Sequence, residues 1–194
     1  GDFDNDGDMD FIAGNLGLNT NLKVKDDHPV RLDYADFDEN GSIDPIFSIY
    51  EQGQYYPVAS LDQLQNQLPS IKRQFRYYST FANSSTDDLI SLFKNQQSQT
   101  LEAYELKSSY IENLGNNKFK ISPLPLKAQI APVNGILAED VNADGFLDVI
   151  LVGNNYGTEV ITGRYDASFG HVLLNNGNGS FKLSPHKNSG FFVK

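Results

Sequence analysis

The sequence contains no cysteine and no tryptophan, and only one methionine and three histidines in 194 residues. The absence of cysteine excludes disulfides, thiolate zinc sites and a cysteine nucleophile. It is also compatible with an exported bacterial protein. The histidines, His28, His171 and His186, are isolated from any nucleophile motif. The sequence therefore predicts no catalytic residues, and we expect the protein not to be an enzyme.

Positive charge is also scarce, because 15 Lys and Arg stand against 25 Asp and Glu and give a net charge of −10. Nucleic-acid binding needs clustered Lys and Arg, so we expect no nucleic-acid partner. No run approaches the roughly 18 to 20 apolar residues that span a bilayer, so we expect no direct membrane insertion. The sequence starts at Gly1 inside a motif. We therefore expect it to be a fragment whose targeting signal, if any, lies outside it.

Aspartate is abundant instead, and much of it falls in three short loops with one shared spacing. Each loop has Asp or Asn at positions 1, 3, 5 and 9, and Gly at position 6. The loops are Asp2, Asp4, Asp6, Gly7, Asp10; Asp36, Asp38, Asn40, Gly41, Asp44; and Asp140, Asn142, Asp144, Gly145, Asp148. Repulsion within each loop would be severe unless a cation lay among the carboxylates.

The spacing of these loops predicts about three calcium sites. Side-chain oxygens at alternate positions can surround one point, Gly at position 6 allows a sharp bend, and Asp at position 9 closes the far side. A backbone carbonyl at position 7 can add a ligand, and we expect these carbonyls to come from Asp8, Ser42 and Phe146. A set made only of hard oxygen donors favours Ca²⁺ over Mg²⁺ or Zn²⁺.

Two other interpretations of the loops are less favoured. An EF-hand needs a bidentate Glu at position 12 and a helix after it, but position 12 is Ala13, Phe47 and Leu151 in the three loops. Simple polar turns of Asp, Asn and Gly would explain one copy. They explain three copies in register less well.

The stretches around the loops predict a mainly β fold. Each loop leads into a short apolar β-type stretch, and the later two loops also follow one. Residues 110–123 match residues 172–185, and both contain an Asn-x-Gly turn typical of a β-hairpin. A strand, a loop, a strand and a hairpin would form one four-stranded antiparallel blade. The sequence thus predicts a β-propeller or a propeller fragment.

The repeated patterns divide the chain into units of unequal length. We place them at about 1–31, 32–130 and 131–188, with the start of a next unit at 189–194. The first unit is too short for a regular hairpin. The long second unit carries a helical insertion within about 51–107, where Ser60 to Gln63 forms a capping box and Leu61, Leu64 and Leu68 share one face. The two ends of the chain look complementary, so either the chain belongs to a longer ring or the ends complete one blade.

With these loops and hairpins, the sequence resembles the FG-GAP and VCBS repeat family, whose calcium loops lie between strands of integrin α-type β-propellers. It is more similar to bacterial surface VCBS-repeat proteins, some of which end in an ASPIC/UnbV module. The resemblance implies an extracellular or cell-surface location, calcium on the loops of one face, and a role in adhesion or ligand binding. The irregular unit spacing departs from the family pattern.

We expect the protein to be a calcium-binding module that provides a binding, adhesion or scaffolding surface, with the calcium in a structural role. The ligand would be a protein or a glycan, and the rest of a longer propeller chain is an expected partner. The candidate recognition loop runs from Asn154 past Glu159 to Asp166, with Tyr156, Arg164, Tyr165 and Asp166 as its contact residues. The alternatives are the propeller part of a polysaccharide-processing enzyme and a passive spacer in a larger surface protein.

Overall fold

The computed structural model describes residues 1–25, 27–93, 97–158 and 162–193. The chain is mainly β, with 32% strand and 16% helix, and its sheets are antiparallel. The mainly β fold class expected from the sequence is therefore confirmed. Within the described ranges no closed barrel or propeller is formed, and the assignment of the sheets as propeller blades stays a prediction. No helix in these ranges is both long enough and apolar enough to cross a bilayer.

The regular elements are as follows. The strands are β1 (Phe11–Ala13), β2 (Val30–Ala35), β3 (Asp44–Glu51), β4 (Gln54–Pro57), β5 (Gln99–Ala103), β6 (Ser109–Asn113), β7 (Phe119–Pro123), β8 (Gly135–Glu139), β9 (Asp148–Val152), β10 (His171–Asn175) and β11 (Phe181–Ser184). The α-helices are α1 (Leu61–Gln67), α2 (Tyr78–Ala82), α3 (Thr86–Ile90) and α4 (His186–Ser189), and short 3-10 helices cover Pro69–Arg73 and Leu126–Gln129.

The chain divides into two compact units. One consists of Gly1–Thr20 together with Leu106–Lys194, and the other of Asn21–Glu105. The discontinuous unit contains a four-stranded sheet in the order β11-β10-β9-β8 and a three-stranded sheet in the order β1-β6-β7. The four-stranded sheet has the expected sequence of strand, acidic loop, strand and hairpin.

The three-stranded sheet differs from the expectation. The hairpin β6–β7 was assigned to the same unit as the second acidic loop, and the first unit was expected to lack a regular hairpin. In the structure β6 pairs with β1, the strand after the first loop, with Ile12 opposite Tyr110. The segment 21–105 therefore lies between two strands of one sheet. Each hairpin was expected to belong to the acidic loop that precedes it in the chain, but the segment 21–105 separates the first loop from its hairpin.

The core of the discontinuous unit is formed by residues of both its sheets. It includes Phe3, Tyr110, Leu124, Ala128, Val149, Leu151 and Leu173. Phe3, Tyr110 and Phe181 meet edge to face, with ring centroids 5.6 to 5.9 Å apart. Such aromatic contacts add to the apolar area that is buried. Phe3, at position 2 of the first loop, is thus part of this core.

The continuous unit packs helices on a four-stranded sheet of order β4-β3-β2-β5. The expected capping box is present at the start of α1, where the Ser60 side chain accepts from the Gln63 N–H and the Gln63 side chain accepts from the Ser60 N–H. Leu61, Leu64 and Leu68 are all buried on one face. They form a core with Phe37 of the second loop and other apolar residues.

We expect Leu64→Ala to lower the free energy of unfolding by about 2–5 kcal/mol, because Leu64 is fully buried in this core and the substitution leaves a cavity. Urea denaturation measures the change. Leu101→Ala is the matched control, because Leu101 is 57% exposed on β5 and should change stability by only about 0.5 kcal/mol. Equal effects of the two substitutions would contradict this placement of the core.

Candidate functional site

The three acidic loops have the same backbone conformation. At position 4, Asn5, Glu39 and Ala143 have φ of 59°, 59° and 61°, in the left-handed region. At position 6, the three glycines have φ between 86° and 98°. A Cβ added to any of these glycines would meet nothing within 4 Å. Glycine is therefore needed for its backbone conformation and not for lack of space.

The first Asp of each loop holds the turn together. In the first loop the Asp2 carboxylate accepts from the N–H groups of Asp6 and Gly7, at 3.2 and 3.1 Å. Asp36 and Asp140 accept from positions 5 and 6 in the same way. The position-5 side chains Asp6, Asn40 and Asp144 accept from the N–H at position 7. Position 7 is occupied by the residues whose carbonyls were expected to bind calcium, Asp8, Ser42 and Phe146. The N–H group of each therefore donates to the side chain two residues earlier.

The ninth residue of each loop is a buried aspartate. Asp10, Asp44 and Asp148 are at most 4% exposed. One oxygen of each accepts from the N–H at position 2, at 3.0 to 3.1 Å. The other oxygens of Asp10 and Asp148 accept from the N–H groups of Asn113 and Asn175, both at 2.8 Å. Each of these two aspartates therefore connects its loop to the hairpin strand beside it.

Tyr110 is a further residue at the first loop, and the sequence analysis missed it. Its side chain is buried, and its hydroxyl donates to Asp10 Oδ2 at 2.8 Å. Burial, and then the hydrogen bond to Asp10, raise the pKa of the Tyr110 hydroxyl, so it remains a donor. A signal was present in the repeat, because the position that matches Tyr110 in the second hairpin is Val172. A polar side chain at one copy of an apolar position indicated a local role.

Two of the loops bring three carboxylates close enough to hold a metal ion. Candidate ligand oxygens of Asp2, Asp4 and Asp10 lie within 4.8 Å of one another, and so do those of Asp36, Asp38 and Asp44. Asp6, at position 5 of the first loop, is not part of its group. Oxygen donors of this kind fit a hard divalent cation. The sequence prediction of a metal centre is thus supported at two loops as far as the side-chain geometry goes.

Electrostatics at these groups favour a bound cation. Burial raises the pKa of Asp4, and repulsion from Asp10 and Asp6 raises it further. Burial likewise raises the pKa of Asp44, and repulsion from Asp38 and Asp36 adds to it. Removal from water also raises the pKa of Asp8. A cation among the carboxylates would oppose each of these effects.

The third loop has a different donor set. Position 3 is Asn142, whose amide donates to Asp144 Oδ2 at 2.8 Å and accepts from the Asp144 N–H at 3.0 Å. Asp140, Asp144 and Asp148 do not form a carboxylate group as compact as the other two within the described chain. Asn142 therefore has an uncharged amide where the other two loops have a carboxylate, and this amide also bonds the Asp144 side chain. The third loop thus shares the backbone conformation of the other two, but the described residues do not bring three carboxylates together there, and its expected calcium site stays a prediction.

The candidate recognition loop is held at its base. The backbones of Asn155 and Tyr165 pair through two hydrogen bonds of 2.8 and 2.9 Å, and the Tyr165 hydroxyl lies 3.0 Å from Thr20 Oγ1. Tyr156 is 52% exposed, and Arg164 and Asp166 are exposed. Glu159 lies outside the described residues. The structure thus presents three of the four expected contact residues to solvent and anchors the fourth, Tyr165.

No protein-family model, curated protein or solved structure matches this chain. The resemblance to FG-GAP and VCBS repeats therefore rests on the loops and hairpins and stays a prediction.

The left-handed residues of the third loop allow a paired test. Gly145→Ala should lower the free energy of unfolding by about 1–2 kcal/mol, because an L-residue is strained at this φ of 90°. Ala143→Gly, two residues earlier, should be neutral or stabilise by about 1 kcal/mol, because it relieves the strain at φ 61°. Thermal unfolding in EDTA, which removes any metal contribution, compares the two. A loss of stability in both variants, or a gain in both, would contradict the loop conformation.

Proposed function

We propose that the protein is a calcium-binding β-repeat module of the FG-GAP and VCBS type. The supporting observation is that three loops share one hydrogen-bond arrangement, in which a buried ninth aspartate joins the loop to the following strand. Two of these loops gather three carboxylates. Calcium is the cation best suited to oxygen ligands in a flexible loop.

The calcium has a structural role in this proposal. The ninth aspartate is the first residue of β3 and of β9, and in the first loop it immediately precedes β1. A cation bound to the first, third and ninth side chains would therefore hold the loop against the start of a strand. Outside the cell, dissociation constants of about 10⁻⁴ to 10⁻³ M are sufficient for such sites. This agrees with the proposed extracellular or cell-surface location.

The sheets would serve as propeller blades that present a binding, adhesion or scaffolding surface. The recognition loop supplies the exposed aromatic ring of Tyr156 and the exposed charges of Arg164 and Asp166. Aromatic and Arg side chains are enriched among the residues that contribute most to binding, and Tyr buries a large area at low entropic cost. The ligand class that fits these groups is a protein or a glycan with hydrogen-bonding groups.

Calcium should raise the melting temperature of EDTA-treated protein. With the dissociation constants above, about 10 mM calcium would stabilise the fold by about 1.4–2.7 kcal/mol per site, because the ion binds the folded state. Asp36→Asn should reduce the number of bound ions by one and the thermal shift with it. Calorimetry and scanning fluorimetry measure both quantities.

Asp27→Asn is the matched control, because Asp27 is exposed, lies outside the loops and loses the same charge. It should leave both calcium stoichiometry and thermal shift unchanged. Magnesium at the same concentration should give a smaller shift, because it requires near-octahedral geometry. No calcium binding to the unsubstituted protein would overturn the proposal and leave three polar turns on a β scaffold.

A screen against glycans and extracellular proteins tests the binding surface. A reproducible ligand should bind at least tenfold more weakly to Tyr156→Ser, because the substitution removes an exposed aromatic contact. Tyr77→Ser should bind normally, because Tyr77 is even more exposed than Tyr156, at 71%, but lies on a different part of the chain. An empty screen would support the spacer alternative. Release of products from acidic polysaccharides would support the enzyme alternative.

A further inference from the structure

His171, the first residue of β10, is a buried side chain without hydrogen-bond partners. It is 6% exposed, and neither ring nitrogen has a partner among the described residues. Across the sheet it pairs with Leu151, which belongs to the apolar core. A neutral imidazole can be accommodated there at some cost, but an unpaired imidazolium in this position would be far less favourable.

The ionisable groups that repel a positive charge on the His171 ring are both basic. His186, from α4, has its ring centroid 6.0 Å from that of His171, and Lys127 comes from the 3-10 helix Leu126–Gln129. Burial is the main cause that lowers the pKa of His171, and repulsion from His186 and Lys127 lowers it further. The unfolded chain therefore binds this proton more tightly than the folded chain. The neutral His171 ring therefore contributes its full stabilisation above about pH 6.5, the ordinary pKa of histidine in an unfolded chain. This contribution is lost as the pH falls through the lower pKa that His171 has in the folded chain.

His186 belongs to a C-terminal segment, residues 185–193, that folds back over the start of β10. His186 Nδ1 lies 2.9 Å from the Phe191 carbonyl oxygen and donates to it. The Phe192 ring stacks on Phe169 with centroids 5.0 Å apart, and the Val193 N–H donates to the Phe169 carbonyl at 2.8 Å. These contacts hold the segment beside His171.

Gly170 makes this close approach possible. It has φ of 78°, and a Cβ at this position would lie 2.6 Å from the Phe191 ring. The residue directly before His171 is thus free of a side chain where the C-terminal segment packs. The contact therefore joins Gly170 and His171 at the start of β10 to His186 and Phe191 of the C-terminal segment.

We propose that His171 and His186 form an acid-sensitive switch that releases the C-terminal segment, residues 185–193, from the start of β10. At neutral pH the His171 ring is uncharged, and the His186 ring packs beside it. In mild acid, a proton on His171 places a positive charge in a buried site beside Lys127, with the His186 ring about 6 Å away. Moving α4 away lets water reach His171 and relieves the repulsion.

Hydrogen exchange of the Val193 amide reports this release, because the Val193 N–H donates to the Phe169 carbonyl, which lies outside the segment. After correction for the intrinsic pH dependence of exchange, its protection should fall below about pH 6.5, by up to about tenfold per pH unit, because opening is linked to one proton. The protein is measured at constant excess calcium between pH 7.5 and 5.0.

His171→Leu should abolish this fall in protection, because leucine fills the apolar site and cannot take up a proton. His186→Gln should weaken it, because the amide can still donate to Phe191 but carries no charge. His28→Gln, in the other compact unit, should leave it unchanged. An NMR titration of the His171 ring should have its midpoint at a lower pH than the onset of the loss of protection, because burial lowers the pKa of this ring in the closed state.

Two results would overturn the proposal. One is equal protection of the Val193 amide at pH 7.5 and 5.0 in the unsubstituted protein. The other is an unchanged pH dependence in folded His171→Leu. If His171→Leu does not fold, an unchanged dependence in His186→Gln overturns the part assigned to the histidine pair, and a reduced one supports it.

Discussion

A buried aspartate at the end of each acidic loop is the contact on which the surrounding structure depends. Its carboxylate binds the N–H at the start of its own loop and, in the discontinuous unit, an N–H of the neighbouring hairpin. Hydrogen bonds to a charged acceptor are stronger than neutral ones, and leaving such a buried group unpaired would be costly. Loop, strand and hairpin are therefore ordered together.

The same arrangement creates an electrostatic problem. The carboxylates at positions 1 and 3 must lie close to the buried one, and burial and repulsion raise the pKa of Asp4 and of Asp44. The loops reduce the problem in different ways. Tyr110 adds a third donor to Asp10, and Asn142 removes a charge from the third loop. A bound cation would solve it in the first and second loops, which connects the fold to the proposed calcium sites.

The insertion of residues 21–105 separates β1 from the hairpin that completes its sheet. The inserted segment contains an acidic loop of its own, with the same backbone turn and the same buried ninth aspartate, but its sheet is completed by β5 and packed against helices. One type of loop thus supports two different environments. This is possible because most of the hydrogen bonds of the loop lie within its own nine residues.

The sequence by itself determined the features that depend on neighbours along the chain. The acidic loops, the Asn-x-Gly hairpins, the capping box at Ser60 and the apolar face of α1 follow from turn chemistry, capping and periodicity. Only the tertiary structure decided which strands pair and which polar groups are buried. Tyr110 meets Asp10 across 100 positions, and the partner of β1 lies equally far along the chain. The burial of His171 likewise depends on α4 and the core. No local pattern encodes such contacts, because they form only when distant segments pack.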